Sequence, residues 1–116
     1  MALPHAVPGQ VIDLQPYGAR LAEMSSTALF KSDTIEVLRM VLPAGRSVPE
    51  HHLDEDVTVQ CIEGQVEFQA GERMEILRPA QLIWLAPNTP YALRALSNAS
   101  LLLTIIRRQD LHAKNI

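Results

Sequence analysis

Cysteine is almost missing from this 116-residue chain. Cys61 stands alone, so no intramolecular disulfide can form, and its place in the apolar run 57–62 reads as a buried structural thiol rather than a reactive one. A basic excess is missing too. The formal net charge is −3 and no long run of like charge occurs, which excludes a cationic face for nucleic acid or anionic lipid. No apolar stretch approaches the length of a membrane span, and the first ten residues hold neither a positive region nor an apolar core of a signal peptide. A cytoplasmic protein is the expectation. Sustained helical periodicity is equally scarce. Only the stretch 16–26 could form a helical turn, and Pro16 and Gly18 keep it short.

What is present is a series of short strand-like segments divided by turn chemistry. Residues 1–9 carry two prolines and a glycine and read as an irregular arm leading to a short strand at Val11–Leu14. Further strands are predicted at Thr27–Lys31, Thr34–Leu42, Val48–Leu53, Val57–Ile62, Gln65–Gln69, Arg73–Leu77, Leu82–Ala86, Tyr91–Ala95 and Ser100–Arg107. Short strands without intervening helices point to an antiparallel sandwich or barrel. At this length one domain is expected: an arm and first strands over 1–33, a barrel core over 34–107 and a tail over 108–116.

Alternation assigns faces. Leu38, Met40 and Leu42 share one face, while Arg39 lies on the other with Ile35, Val37 and Val41. The last strand, Leu101–Ile106, is apolar on both faces and needs cover on both, so a homodimer is expected, its interface formed with an N-terminal strand. The alternative is a strand sandwiched within one chain.

The densest chemistry lies between Gly45 and Gly64, where His51 and His52 are followed by Asp54, Glu55 and Asp56. Gly45, five intervening residues, His51 and the closing Gly64 keep the spacing of the first cupin motif, in which a glycine precedes His-x-His, a glutamate and a final glycine. A second motif keeps its spacing with its residues exchanged, through Ala80, Ala86, Asn88, Tyr91 and Ala95. From Thr34 to Ile106 the chain therefore resembles a small single-domain, RmlC-like cupin. The resemblance implies an all-β double-stranded β-helix, the jelly-roll barrel.

The family's metal site uses three histidines and a glutamate. Here Leu53, Val57 and Tyr91 stand at three of those positions and only His51 matches. No resident metal is expected. A divalent transition metal would need a rebuilt set such as His51, His52 and Glu55, and adjacent strand residues share a site only through a backbone irregularity. Otherwise the metal cavity becomes a ligand pocket lined by His51, Tyr91, Val57, Val59, Cys61 and Met40, with the imidazole and phenol as its polar groups.

Three functions stay open at this point: a metal-independent small-molecule binding module, a metal-dependent dioxygenase or isomerase with non-standard ligands, and a structural dimer without a ligand. Arg39, Arg46 and Arg94 read as solvated charges that would serve an anionic ligand only if turned inward, and the face taken by Trp84 is open.

Overall fold

The computed structural model describes residues 5–107. Among them nine strands follow a single 3-10 turn, Gly18–Glu23: β1 (Thr27–Lys31), β2 (Ile35–Leu42), β3 (Ser47–His51), β4 (Asp56–Glu63), β5 (Val66–Ala70), β6 (Arg73–Leu77), β7 (Leu82–Leu85), β8 (Tyr91–Ala95) and β9 (Ala99–Ile106). They form a five-stranded sheet in the order β1-β2-β9-β4-β7 and a four-stranded sheet in the order β3-β8-β5-β6. All pairings are antiparallel. This is the expected jelly roll. Strand positions agree with the sequence to within a residue or two, β3 stopping two residues early at His51, except that the arm forms no strand at Val11–Leu14. The tail 108–116 lies outside the described residues.

Register shows why these sequences bury as they do. In the larger sheet Leu38 pairs with Leu103 and Met40 with Leu101, while Val59 and Cys61 flank the same two residues from β4. This inner face meets Val66, Phe68, Tyr91 and Leu93 of the smaller sheet in one continuous core. Gly64 closes the β4–β5 hairpin at φ +81°, and a Cβ there would stand 2.7 Å from Ala99 Cα, so only glycine fits.

The outer face of the larger sheet holds a buried ionic cluster that corrects the reading of Arg39 as a solvated charge. Arg39 is 2% exposed. Its Nη2 donates to the Gln15 carbonyl (2.8 Å), to Ser100 Oγ (3.1 Å) and to Glu63 Oε2 (3.3 Å), and its guanidinium carbon lies 3.7 Å from the centroid of the Tyr17 ring. The N-terminal arm supplies this cover, folding across the sheet where the sequence suggested open surface. Glu63 in turn accepts the N–H groups of Tyr17 (2.9 Å) and Gly18 (3.0 Å) at the start of the 3-10 turn. Arg46 and Arg94 are exposed, as expected. Arg94 stands 3.9 Å from Glu67. No helix among the described residues is long and apolar enough to cross a membrane.

Candidate functional site

Both sheets bring polar residues to one end of the barrel. The β3–β4 connection (52–55) and the β7–β8 connection (86–90) lie there, tied by a hydrogen bond from Asn88 N–H to the Leu53 carbonyl at 2.7 Å. His51 and Tyr91 face one another across β3 and β8 at this end. A bulge makes that possible: two residues of β3, Pro49 and Glu50, lie between Val48 and His51, while only Ala92 of β8 lies between Leu93 and Tyr91. The extra residue turns His51 onto the face that Val48, Leu93 and Tyr91 share. Without it the side chain would point outward.

The two rings lean together, centroids 4.4 Å apart at 52°, and beneath them Phe68 stacks on Tyr91 at 5.6 Å and 13°. His51 is exposed and caps the column; Tyr91 is 4% exposed. His51 Nδ1 donates to the Pro49 carbonyl at 3.0 Å, because a carbonyl can only accept. Neutral His51 therefore presents a bare Nε2 lone pair. The Tyr91 hydroxyl has no hydrogen-bond partner among the described residues, and burial raises its pKa above the ordinary phenol value.

The remaining expected pocket residues lie deeper. Val57 and Val59 are 1% exposed and Cys61 0%. A side chain lining a cavity wide enough for water keeps accessible surface, so these three do not form the open pocket wall expected of them. They are packed core beneath Tyr91, because Phe68, Leu101 and Leu103 fill the space between the sheets. Met40 is half-buried against that core. The Cys61 thiol points to the Glu63 and Gly64 carbonyls at 3.4 and 3.3 Å, and burial pushes its pKa up, as suits a structural thiol.

The rim carries a cluster that alternation alone did not reveal. Arg107, just beyond β9, bonds to Glu36 of β2 and stands 3.7 Å from Glu55 of the β3–β4 connection. The signal was available, since an acid at the start of β2 and a base at the end of β9 meet once the two strands pair antiparallel. Glu55 is thereby engaged away from any metal. His52 is exposed, and among the described residues no three His, Cys, Asp or Glu side chains converge to hold an ion. Trp84 lies on the exposed outer face of β7, its Nε1 donating to Asp56 Oδ1 at 2.9 Å.

The nine strands and their order in the two sheets define a small single-domain cupin. Residues 43–108, more than half of the chain, match the AraC-like ligand binding domain family, and the chain belongs to it. Solved structures with this fold include a conserved protein of unknown function from Streptococcus pyogenes, 18% identical over 94% of this chain and 96% of that one, at a TM-score of 0.73. An RmlC-like cupin from Shewanella frigidimarina is 10% identical, covering 73% of this chain and 77% of that one at a TM-score of 0.69. The cupin domain of an XRE family transcriptional regulator from Enterobacter cloacae is 22% identical, covering 72% and 96% at a TM-score of 0.65. No curated protein gives a significant sequence match.

Proposed function

We propose that this chain is a metal-independent binding module that takes a small, neutral, hydroxylated molecule at the barrel end, on His51 and Tyr91. The observation that carries the reading is the Tyr91 hydroxyl, a phenol in an otherwise apolar column that lacks a protein partner beside an imidazole with a free acceptor nitrogen. The Tyr91 ring is buried but its oxygen is not among the buried atoms left without a partner, so the hydroxyl reaches the barrel end, where a hydrogen bond to a ligand contributes roughly 0.5–1.5 kcal/mol. The phenol donates to a ligand carbonyl or ether, and Nε2 accepts from a ligand hydroxyl. Val57, Val59, Cys61 and Met40 back the rings from below and hold them in place. Glu50, Asp54, Glu55 and Asp56 gather at the same end and disfavour an anion. Membership of a ligand-binding-domain family supports the assignment, as does the likeness to a regulator's cupin domain.

Ligand-observed NMR with a panel of neutral polyols and hydroxy-ketones tests it. Binders should be found that lose contact in both His51→Ala and Tyr91→Phe. Binding that survives both substitutions would place the site elsewhere.

The same module is proposed to act as a homodimer. Ile106 is 45% exposed on the outer face of β9, and Val7 and Val11 of the arm are 64% and 90% exposed. A second copy covering the outer face of β9 with its arm would bury both sets together.

A further inference from the structure

The two sheets do not close on each other at β6 and β7. Each strand ends its sheet, so no ladder joins them, and a groove of about 680 Å3 opens between. Its floor is Ala70, Leu77 and Ile83, which belong to or pack against the core. One rim is Trp84, the single tryptophan of the chain, 65% exposed yet held in one orientation by its hydrogen bond to Asp56. The other rim is β6, where Arg73 and Glu75 pair at 2.8 Å. The closed end is the four-residue connection Arg78–Gln81, fixed by hydrogen bonds from Gln81 N–H to the Arg78 carbonyl (3.0 Å), from Arg78 N–H to Gln81 Oε1 (2.9 Å) and from Ala80 N–H to the Cys61 carbonyl (2.8 Å). The Arg78 backbone is thus held still while its guanidinium pairs with no described residue.

Charge separates this groove from the acidic barrel end. Glu75 pairs with Arg73 and the Asp56 carboxylate sits behind the Trp84 indole, so Arg78 is the cation of the lining that no described carboxylate pairs, on a chain of net charge −3. The volume falls in the range of roughly 300–1,000 Å3 typical of small-molecule sites. β7 also differs from the other three sheet-edge strands. β1 carries a bulge and a terminal lysine, β3 a bulge and Pro49, and β6 its ion pair, whereas Leu82–Leu85 is uncharged, unbulged and apolar. An apolar edge left unprotected beside a groove that holds the unpaired Arg78 suits an occupant that covers the edge and carries a negative charge.

We infer that the β6–β7 groove is a second ligand site, distinct from the His51–Tyr91 end, for a small amphipathic anion. The apolar body lies on Ile83, Leu77 and the Trp84 indole, and the carboxylate or sulfonate meets Arg78, with Arg73 beside it. Two probes that differ only in charge test this: 8-anilinonaphthalene-1-sulfonate and its neutral parent N-phenyl-1-naphthylamine. Titrated into the wild-type protein, the sulfonate should saturate at one equivalent and quench the emission of Trp84 by energy transfer. In an Arg73→Gln/Arg78→Gln double variant its affinity should fall about tenfold or more, while that of the neutral parent stays within a factor of two. Both arginines are exposed, so a circular dichroism spectrum matching wild type is expected and separates lost binding from lost fold. His51→Ala should change neither titration. Non-saturable binding, equal weakening of both probes, loss of binding in His51→Ala, or weaker binding at higher protein concentration because a second copy covers the groove would each overturn the assignment.

Discussion

The His51 ring rests on the Tyr91 ring, 4.4 Å between centroids, while the Tyr91 hydroxyl has no partner among the described residues. The ring and the hydroxyl of Tyr91 therefore have different energetic roles. Tyr91→Phe should leave unfolding free energy within about 0.5 kcal/mol of wild type, because no protein hydrogen bond is lost. Tyr91→Ala removes the ring between His51 and Phe68 and should cost about 3–5 kcal/mol. Urea unfolding of the two variants measures both.

Glu63 makes the attachment of the arm sensitive to acid. Burial alone would raise its pKa, but hydrogen bonds from Ser100 Oγ and the Tyr17 and Gly18 N–H groups, together with the Arg39 charge, outweigh burial and hold it below the ordinary 4.5. A carboxyl whose folded pKa is depressed contributes stability that is complete above its unfolded value and is lost as pH falls through the folded one. The wild-type protein should therefore lose stability progressively below about pH 4.5, and Glu63→Gln should flatten that limb in a pH series of denaturant melts. Arg39→Leu should cost roughly 2–4 kcal/mol near neutral pH and expose the arm to limited proteolysis.

Two turn positions respond in opposite directions. Gly64→Ala would drive its Cβ into the Asn98 carbonyl and Ala99, and a loss above about 3 kcal/mol is expected. Ala80 already sits at φ 70°, where a Cβ is strained, so Ala80→Gly should raise stability by roughly 0.5–1 kcal/mol. Thermal melts of the two variants give the signs directly.

The jelly roll was legible because its determinants are local: alternation in β2, β4 and β9, and turn residues at nearly every break. The facing of Met40 and Cys61 followed from period two alone. Arg39 was misread because its burial depends on an arm some twenty residues away, whose own sequence shows no periodicity to announce a packing partner. The depth of Val57, Val59 and Cys61 depends on how completely Phe68 and Leu101 fill the interior, a property of three-dimensional packing. His51 was placed by motif spacing, but the bulge that aims it has no clear mark in the sequence beyond Pro49. The β6–β7 groove arises from sheet order, which strand patterns do not give.

Dimerisation through the outer face of β9 and the arm should be visible by light scattering after gel filtration at tens of micromolar. The wild-type mass is expected near twice 12.9 kDa, and Ile106→Glu should shift it toward the monomer without loss of the β-sheet spectrum. A monomeric wild-type mass would leave the exposed Val7, Val11 and Ile106 without this explanation.

The ring resonances of His51 give the most direct measurement of the central claim. A neutral hydroxylated compound that binds at the barrel end should shift the His51 Hε1 and Nε2 signals saturably, with the same dissociation constant that Tyr91 ring protons report. Nδ1 should move little, because it stays with the Pro49 carbonyl. Tyr91→Phe should weaken that constant about tenfold. If a bound compound leaves His51 and Tyr91 unmoved while shifting resonances elsewhere on the barrel, the assignment of the ligand to this pair is contradicted.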